Sequence, residues 1–498
     1  MITKVFGPPG SGKTTFLLDV VEKELADNTL SSQIGYFSFT RKAAGEARDR
    51  AIQKFPSLNA ETDFPWFRTL HSLAYHCLGA GAKDLMSAED YATFAKETGL
   101  EVSTSLEGDE YIVRADNAIL NEVNIARIRG IDLRAHYNRS NMGIEWFYFE
   151  FVERAYRKFK AAHMLMDFTD LLERLIEQQE RLPALEVLIV DEAQDLSRLQ
   201  WKLVMALSEK ADRTFIAGDD DQAVYTWSGA DVESFLSCEG EVKILEQSYR
   251  VPAKVHFLAN SIVKRIQNRQ EKIWAPRQEQ GEINYYNQFE QVDISKGEWL
   301  IMASTNYMLN ELHNWIKSQG LLFERNGQRS IADSVVTSVI GWERLRKGQS
   351  IGYDVLRQVY KHLPASSIKR GFKSLRHADP EAMYDMAELK ASQGLLTDAI
   401  WHEALTKIGE DKRDYLIAVL RRGAKLGAKP AIQLSTIHGA KGGEADNVLL
   451  LTDLSPKFAK DYAKNADDIN RLLYVGVTRT RQSLHIVLPK NEERGFRF

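Results

Sequence analysis

The chain has 498 residues, too many for a single hydrophobic core, so roughly two to four domains are expected. Hydrophobic residues make up 44% and charged residues 27%, ordinary values for a soluble protein, and the net charge of −4 excludes a polycation, so any nucleic-acid contact must rest on a local positive surface. Two cysteines, Cys77 and Cys238, exclude a disulfide framework and a cysteine-rich zinc site. No apolar run approaches a membrane span, and the first strand starts so near the beginning that no signal peptide is expected; a cytoplasmic protein follows.

In chain order, residues 2–6 read as a short strand and 15–26 as a helix with apolar residues at helical spacing. Between them, F-G-P-P-G-S-G-K-T-T satisfies G-x-x-x-x-G-K-[ST]. Glycines in such a loop let several backbone N–H groups point at phosphate oxygens, at a helix N-terminus that favours anions. Gly7, Pro8, Pro9, Gly10, Ser11, Gly12, Lys13, Thr14 and Thr15 are therefore the nucleotide-binding candidates. Lys13 brings a point charge to the β- and γ-phosphates, and the Thr14 hydroxyl is a ligand for Mg²⁺.

Residues 34–40 read as a second strand and the following K-A-A-G-E-A-R-D-R-A-I as a helix. At that corner Thr40 and Arg41 suit a phosphate contact, while Phe39 reads either as a stacking ring or as a core aromatic. His71, in T-L-H-S, reads alone as a structural histidine. The stretch 75–164 is helix-like and charged, with no chemical motif, and E-R-L-I-E-Q-Q-E-R at 173–181 reads as a solvated face.

The second anchor is L-E-V-L-I-V-D-E-A-Q-D, a strand buried on both faces that ends in a carboxylate pair, where ligands bind in open α/β sheets. Asp191 is placed to hold Mg²⁺ and Glu192 to polarise a water for attack on the γ-phosphate. The strand T-F-I-A-G with D-D-D-Q-A-V-Y-T-W-S-G-A repeats the design. Gln222 suits a γ-phosphate sensor, and Tyr225 and Trp227 read either as a base-stacking platform or as sheet packing. Q-S-Y-R carries Arg250, and W-L-I-M-A-S-T-N opens a second α/β unit. The region 346–429 is helix-like; its basic run K-R-G-F-K-S-L-R-H reads as solvated surface, with nucleic-acid contact as the alternative. The α/β pattern returns with S-T-I-H-G-A-K-G-G-E and ends in R-L-L-Y-V-G-V-T-R-T-R, where Arg479 and Arg481 flank a threonine; such an arginine neutralises charge on a transferring phosphoryl group.

This ordered set resembles the superfamily 1 helicases of the UvrD/Rep/PcrA type. The P-loop is similar to motif I, F-S-F-T-R-K-A-A to motif Ia and I-V-D-E-A-Q-D to motif II. G-D-D-D-Q-A-V-Y-T-W-S-G-A resembles motif III and Q-S-Y-R motif IV. S-T-I-H-G-A-K-G-G-E and Y-V-G-V-T-R-T-R resemble motifs V and VI. The resemblance implies an α/β fold: two RecA-like P-loop NTPase domains with helical insertions. It implies 1–74 and 165–245 as domain 1A, 75–164 as insertion 1B, 246–345 and 429–498 as domain 2A, and 346–428 as a short insertion 2B. It further implies ATP and Mg²⁺ as ligands, with Gln222, Arg250 and Arg479 facing the γ-phosphate, both arginines from the second domain, and Glu444 on the ribose. Phe39, Thr40, His71, Tyr225, Trp227, Thr436 and His438 match positions on the DNA side. The implied activity is ATP-driven 3′→5′ movement on single-stranded DNA, with unwinding at single/double-strand junctions, in DNA repair or replication within a bacterial or phage-infected cell.

The chain departs from the family pattern at several points. No glutamine motif precedes the P-loop, Ser228 stands where arginine is usual after the tryptophan of motif III, and Arg41 replaces an asparagine of motif Ia. The 2B-like insertion and the tail 489–498 are short, which favours translocation over unwinding. The competing reading is an ATP-gated switch that clamps single strands without processive movement. A metabolic kinase would leave the later motifs unexplained, and no carboxylate–lysine cluster suggests a fused nuclease.

Overall fold

The computed structural model describes residues 1–39, 41–59, 62–106, 113–140 and 142–496. The chain forms two compact units, Met1–Gln278 with Lys464–Tyr474, and Glu279–Ala463 with Val475–Phe498.

The first unit opens with β1 (Ile2–Phe6), α1 (Lys13–Ala26), β2 (Ile34–Ser38), α2 (Arg41–Lys54), β3 (Phe67–Arg68) and α3 (Leu70–Cys77). A mainly helical section follows: α4 (Ala88–Thr98), the hairpin β4 (Ser103–Leu106) and β5 (Val113–Asp116), α5 (Ala118–Arg129), α6 (Leu133–Arg139) and α7 (Trp146–Ala162). The unit continues with α8 (Phe168–Glu177), β6 (Val187–Asp191), α9 (Arg198–Ser208), β7 (Arg213–Gly218), α10 (Val232–Ser237), β8 (Glu241–Ile244) and α11 (Ala253–Val263). Six strands form one sheet in the order β3-β2-β6-β7-β1-β8, and every pair in it is parallel.

Alternation along the strands gives that sheet two cores. Val187 and Ile189 of β6 join Val5, Tyr36 and Ala217 on one face, while Leu188 and Val190 join Phe6, Phe37 and Ile216 on the other. The register aligns Phe6 with Gly218, Val190 with Ile216 and Ser38 with Asp191. The ends of β1, β6 and β7, which carry the P-loop, the acidic pair and the D-D-D-Q loop, therefore lie along one sheet edge.

The section 75–164 was expected to be helical throughout. It contains the β4–β5 hairpin, in which V-R-A-D of the second strand alternates apolar and polar residues. Its helices close on a core of their own, including Tyr91, Phe94, Phe149, Tyr156 and Phe159. Nor is the start of 173–181 a solvated face. Glu173 bonds Arg127 at 2.6 Å, and Arg127 also reaches Asp167 at 2.7 Å and Asp170 at 2.5 Å, with buried Lys160 bonding the same two aspartates.

The second unit contains β9 (Glu282–Tyr286), β10 (Trp299–Ala303), α12 (Leu309–Ser318), β11 (Phe323–Arg325), β12 (Gln328–Arg329), α13 (Asp333–Arg346), β13 (Ile351–Gly352) and α14 (Tyr353–His362). Then come β14 (Met383–Tyr384), α15 (Met386–Ser392), α16 (Trp401–Ala404), α17 (Glu410–Arg421), β15 (Ile432–Thr436), β16 (Ala445–Leu451), α18 (Pro456–Lys464), α19 (Ala466–Val477), which up to Tyr474 belongs to the first unit, and β17 (Thr480–Val487). Its sheet order is β12-β11-β15-β10-β16-β17-β9, parallel except for the β11–β12 hairpin. The helix-like region 346–429 includes the short antiparallel pair β13–β14. One core runs from Trp299 and Ile301 of the sheet to Trp342, Tyr360 and Trp401 of these helices. Among the described residues, no helix is long and apolar enough to cross a membrane.

Candidate active site and nucleic-acid contacts

The P-loop links β1 to α1. Lys13 folds back over it and donates from Nζ to the Gly7 carbonyl at 2.8 Å. A Cβ on Gly7 would lie 2.0 Å from Lys13 Cγ, so only glycine lets the lysine cross the loop. Gly10 has φ +69°, and a Cβ there would sit 2.3 Å from that of Arg250. Among the described residues, Ser11 Oγ is buried without a hydrogen-bond partner. An orphaned hydroxyl in a concave glycine loop at a helix N-terminus fits a phosphate group.

Asp191 ends β6 and is 3% exposed. Its carboxylate accepts from Tyr36 Oη at 2.8 Å and from the Glu192 N–H at 2.9 Å, and no ion pair holds it among the described residues. Burial and the neighbouring Glu192 push it up to about 6, against the pull of Lys13. Tyr36 is likewise raised, by burial and by Asp191. A buried carboxylate in this state fits a divalent cation. Glu192 has φ 55°, in the left-handed region, which a turn straight after the strand demands. Gln194 donates to Glu192 Oε2 at 2.5 Å and accepts from the Asp219 N–H at 3.0 Å, tying Glu192 to the end of β7.

After β7, Asp219, Asp220 and Asp221 are buried and bring three carboxylates within ligand distance of one another. The cluster already has cations. Lys272, itself fully buried, bonds Asp219 at 3.2 Å, Asp221 at 2.8 Å, and also Asp220. Arg269 grips Asp221 through two bonds at 2.8 and 2.7 Å, and Arg471 donates to the Asp220 carbonyl at 3.0 Å. Burial would raise Asp221, but Lys272 and Arg269 hold it below the usual carboxylate range; burial raises Asp220 to about 6. Gln222 donates to Asp219 Oδ2 at 2.7 Å, so its amide is oriented by a carboxylate that Lys272 holds.

The stretch 246–278, which the motif pattern assigns to the second domain, is part of the first unit. It contacts the P-loop directly: Ser248 Oγ donates to the Pro9 carbonyl at 2.7 Å and the Tyr249 N–H to the Gly10 carbonyl at 2.8 Å. Arg250, expected to come from the second domain, thus stands against Gly10 within the first unit. Tyr249 is 73% exposed and its ring edge lies 4.0 Å from the position of a Gly12 Cβ, an aromatic beside the phosphate cradle that the motif reading passed over.

Of the DNA-side candidates, Thr40 lies outside the described residues. Phe39 stacks on Tyr225, with centroids 5.6 Å apart and planes at 21°. Burial, with Asp195 and Glu192, pushes the Tyr225 hydroxyl up to about 12. Trp227 is 63% exposed. Arg41 is exposed at the start of α2, and His71 stacks face to face on Phe168 at 3.7 Å.

In the second unit, Thr436 ends β15 and its Oγ1 accepts from the Gly439 N–H at 3.1 Å. The His438 ring lies 6.2 Å from that of Phe458. Glu444 stands 3.5 Å from Arg481, which also pairs with Glu298 at 2.5 Å and Asp446 at 3.0 Å. Arg479 is buried, its guanidinium donating to the carbonyls of Val475 at 3.1 Å and Gly443 at 3.3 Å. In the basic run, Lys373 spends its ammonium on the carbonyls of Tyr360 and Leu363, and Phe372 packs on the unit's core, so that run is partly structural.

Sequence reasoning missed Tyr36, Gln194, Tyr249, Arg269 and Lys272. Gln194 and Tyr249 lie inside quoted motifs and were legible there. Tyr36 reads as one more apolar strand position, and nothing local marks Arg269 or Lys272.

Comparison with known proteins agrees with this geometry. The family model described as UvrD/REP helicase N-terminal domain matches residues 2–243, and that described as UvrD-like helicase C-terminal domain matches 406–491. DNA helicase II of Haemophilus influenzae is 26% identical over 360 residues, covering 67% of this chain and 47% of that protein. ATP-dependent DNA helicase PcrA of Bacillus subtilis is 26% identical over 354 residues, covering 66% and 46%. DNA helicase II of Escherichia coli is 26% identical over 341 residues, covering 64% and 45%. The chain spans about half the length of the curated relatives it matches. With both halves of the family pattern matched in order, on two units built around parallel sheets, the chain belongs to the UvrD/Rep/PcrA-like helicases of superfamily 1.

Proposed function

We propose that this chain is an ATP-dependent DNA helicase motor, moving 3′→5′ on single-stranded DNA and opening duplex at single/double-strand junctions. The reading rests chiefly on one observation: Phe39, which stacks on Tyr225, directly follows Ser38, and the strand register sets Ser38 beside Asp191, so base stacking and hydrolysis share one sheet edge. The curated relatives, named as DNA helicases, support the same activity.

In this reading the loop amides, Ser11 and Lys13 bind the triphosphate, and Tyr249 offers its face to the base. Mg²⁺, held by Thr14 and Asp191, would neutralise charge on the β- and γ-phosphate oxygens. Glu192, oriented by Gln194, accepts a proton from water as the water oxygen bonds to the γ-phosphorus and the bond to the β-phosphate oxygen breaks, leaving ADP. Gln222, whose amide bonds Asp219, and Arg250, whose Cβ adjoins Gly10, would contact the same phosphates. Arg479 is the further charge on the γ-phosphate, and Glu444 takes the ribose. Thr40, Arg41, His71, Trp227, Thr436 and His438 complete the strand contacts. Residues 75–164 and 346–428 are insertions 1B and 2B, and 429–498 completes domain 2A.

The test is the ATPase rate with and without single-stranded DNA, for the wild type and for Arg479→Lys. Stimulation of at least about tenfold is expected, with its loss in the variant, whose melting temperature is measured alongside because Arg479 is buried and bonds the Val475 and Gly443 carbonyls. Absence of stimulation overturns the DNA-motor reading. Strand displacement from 3′-tailed but not 5′-tailed duplexes is expected; stimulated ATPase without displacement favours the ATP-gated switch.

A further inference from the structure

Helix α7 has one face packed and one bare. Phe149, Val152, Tyr156, Phe159 and Lys160 are buried in the core of the helical section. On the opposite side Phe147 is 73% exposed and Phe151 41%, and Arg154 and Lys158 are also exposed. These four stand at i, i+4, i+7 and i+11, which places them in one line about 16 Å long. Of the helix's carboxylates, Glu150, at i+3 from Phe147 and four residues before Arg154, flanks that line, while Glu153 lies off it, 3.4 Å from Arg157, itself largely exposed. Tyr148, 39% exposed, borders the stripe.

We propose that this stripe is an auxiliary contact for single-stranded DNA: bases stack on Phe147 and Phe151, and the phosphates that follow pair with Arg154 and Lys158. The proposal rests on the DNA-motor reading and adds to it a surface outside the Phe39, Tyr225 and Trp227 platform. Charge and shape select the ligand. The line holds two rings followed by two cations and no large aliphatic side chain, whereas a protein-docking core avoids lysine. Duplex DNA offers no unstacked base to the rings. The packed opposite face fixes the helix in the fold, so the stripe presents its groups pre-arranged. Its length matches a few nucleotides of one strand.

The experiment measures binding of the full chain to a long dT oligonucleotide by fluorescence anisotropy across a salt series. Phe147→Ala/Phe151→Ala is expected to weaken binding about tenfold or more, with duplex binding unchanged. Arg154→Gln/Lys158→Gln is expected to reduce the slope of log affinity against log salt by about 1.4, the value for two lost phosphate contacts on a single strand. All four side chains are exposed, so the melting temperature should hold. Wild-type-like binding by both variants overturns the proposal and leaves the face to a protein partner. Equal loss on single strands and duplexes overturns the stacking arrangement. A wild type that binds no single-stranded DNA overturns the motor reading and this proposal together, which separates the two failures.

Discussion

At the end of β6, Asp191 is buried with only a phenol and a backbone N–H as donors; at the end of the adjacent β7, Asp219, Asp220 and Asp221 close on the ammonium of Lys272. Both groups are acidic, buried and on the same sheet edge, yet only the second carries its own cation. The difference separates a site from a scaffold. A buried carboxylate with no bonded cation among the described residues, only the pull of Lys13, costs stability and fits a role in which a cation arrives with the ligand. A carboxylate cluster that already holds lysine and arginine has spent its affinity on packing one chain segment against another. Proximity of acidic residues alone would have marked Asp219, Asp220 and Asp221 as the metal site.

The contrast can be broken in three places. The largest effect is expected from Glu192→Gln, which keeps size and the bond to Gln194 but removes the base; ATP turnover should fall as much as about 10⁴-fold with nucleotide binding retained. Near-normal hydrolysis would move the base elsewhere. Next, Lys272→Met should destabilise the first unit by about 3–5 kcal/mol in urea unfolding, because three buried carboxylates lose their shared ammonium. Adding Asp220→Asn should recover part of that loss; no loss in the single variant would mean that Arg269 and Arg471 suffice.

The smallest effect has the opposite sign. Asp191 titrates at about 6 in the folded chain, above the ordinary carboxylate range, so between about pH 4 and pH 6 the folded state binds more protons than the unfolded one. Its contribution to stability therefore falls as pH rises through that window and stays unfavourable at neutral pH. Asp191→Asn should raise stability at pH 7 by about 2 kcal/mol, leave it unchanged near pH 4, and abolish Mg²⁺-dependent turnover. A loss of stability at pH 7 would show that the carboxylate is compensated after all.

The legible parts of this molecule are those whose physics is local. The P-loop is visible because consecutive residues must turn a backbone around an anion, and β6 because five buried residues in a row announce a strand covered on both faces. Partners that meet only after folding leave no such trace. Tyr36 reaches Asp191 across 155 positions, and Lys272 reaches Asp220 across 52. The boundary of the first unit was hidden for the same reason: the family resemblance gives 246–278 to domain 2A, and only its bonds to Pro9 and Gly10 tie it to the P-loop. The β4–β5 hairpin was masked by the charge and alanine content of its helical surroundings.

Those same bonds set where the polypeptide can be cut. A recombinant fragment ending at residue 245, just past the last sheet strand of the first unit, would discard Lys272 and Arg269 while keeping the three aspartates they neutralise, and would uncover the Pro9 and Gly10 carbonyls. Extending it to Gln278 restores these partners but still omits Arg471, which arrives from 193 positions further on. Soluble production of the nucleotide-binding half by itself therefore calls for splicing two distant pieces of chain, and a protease that nicks between them should leave both pieces bound together.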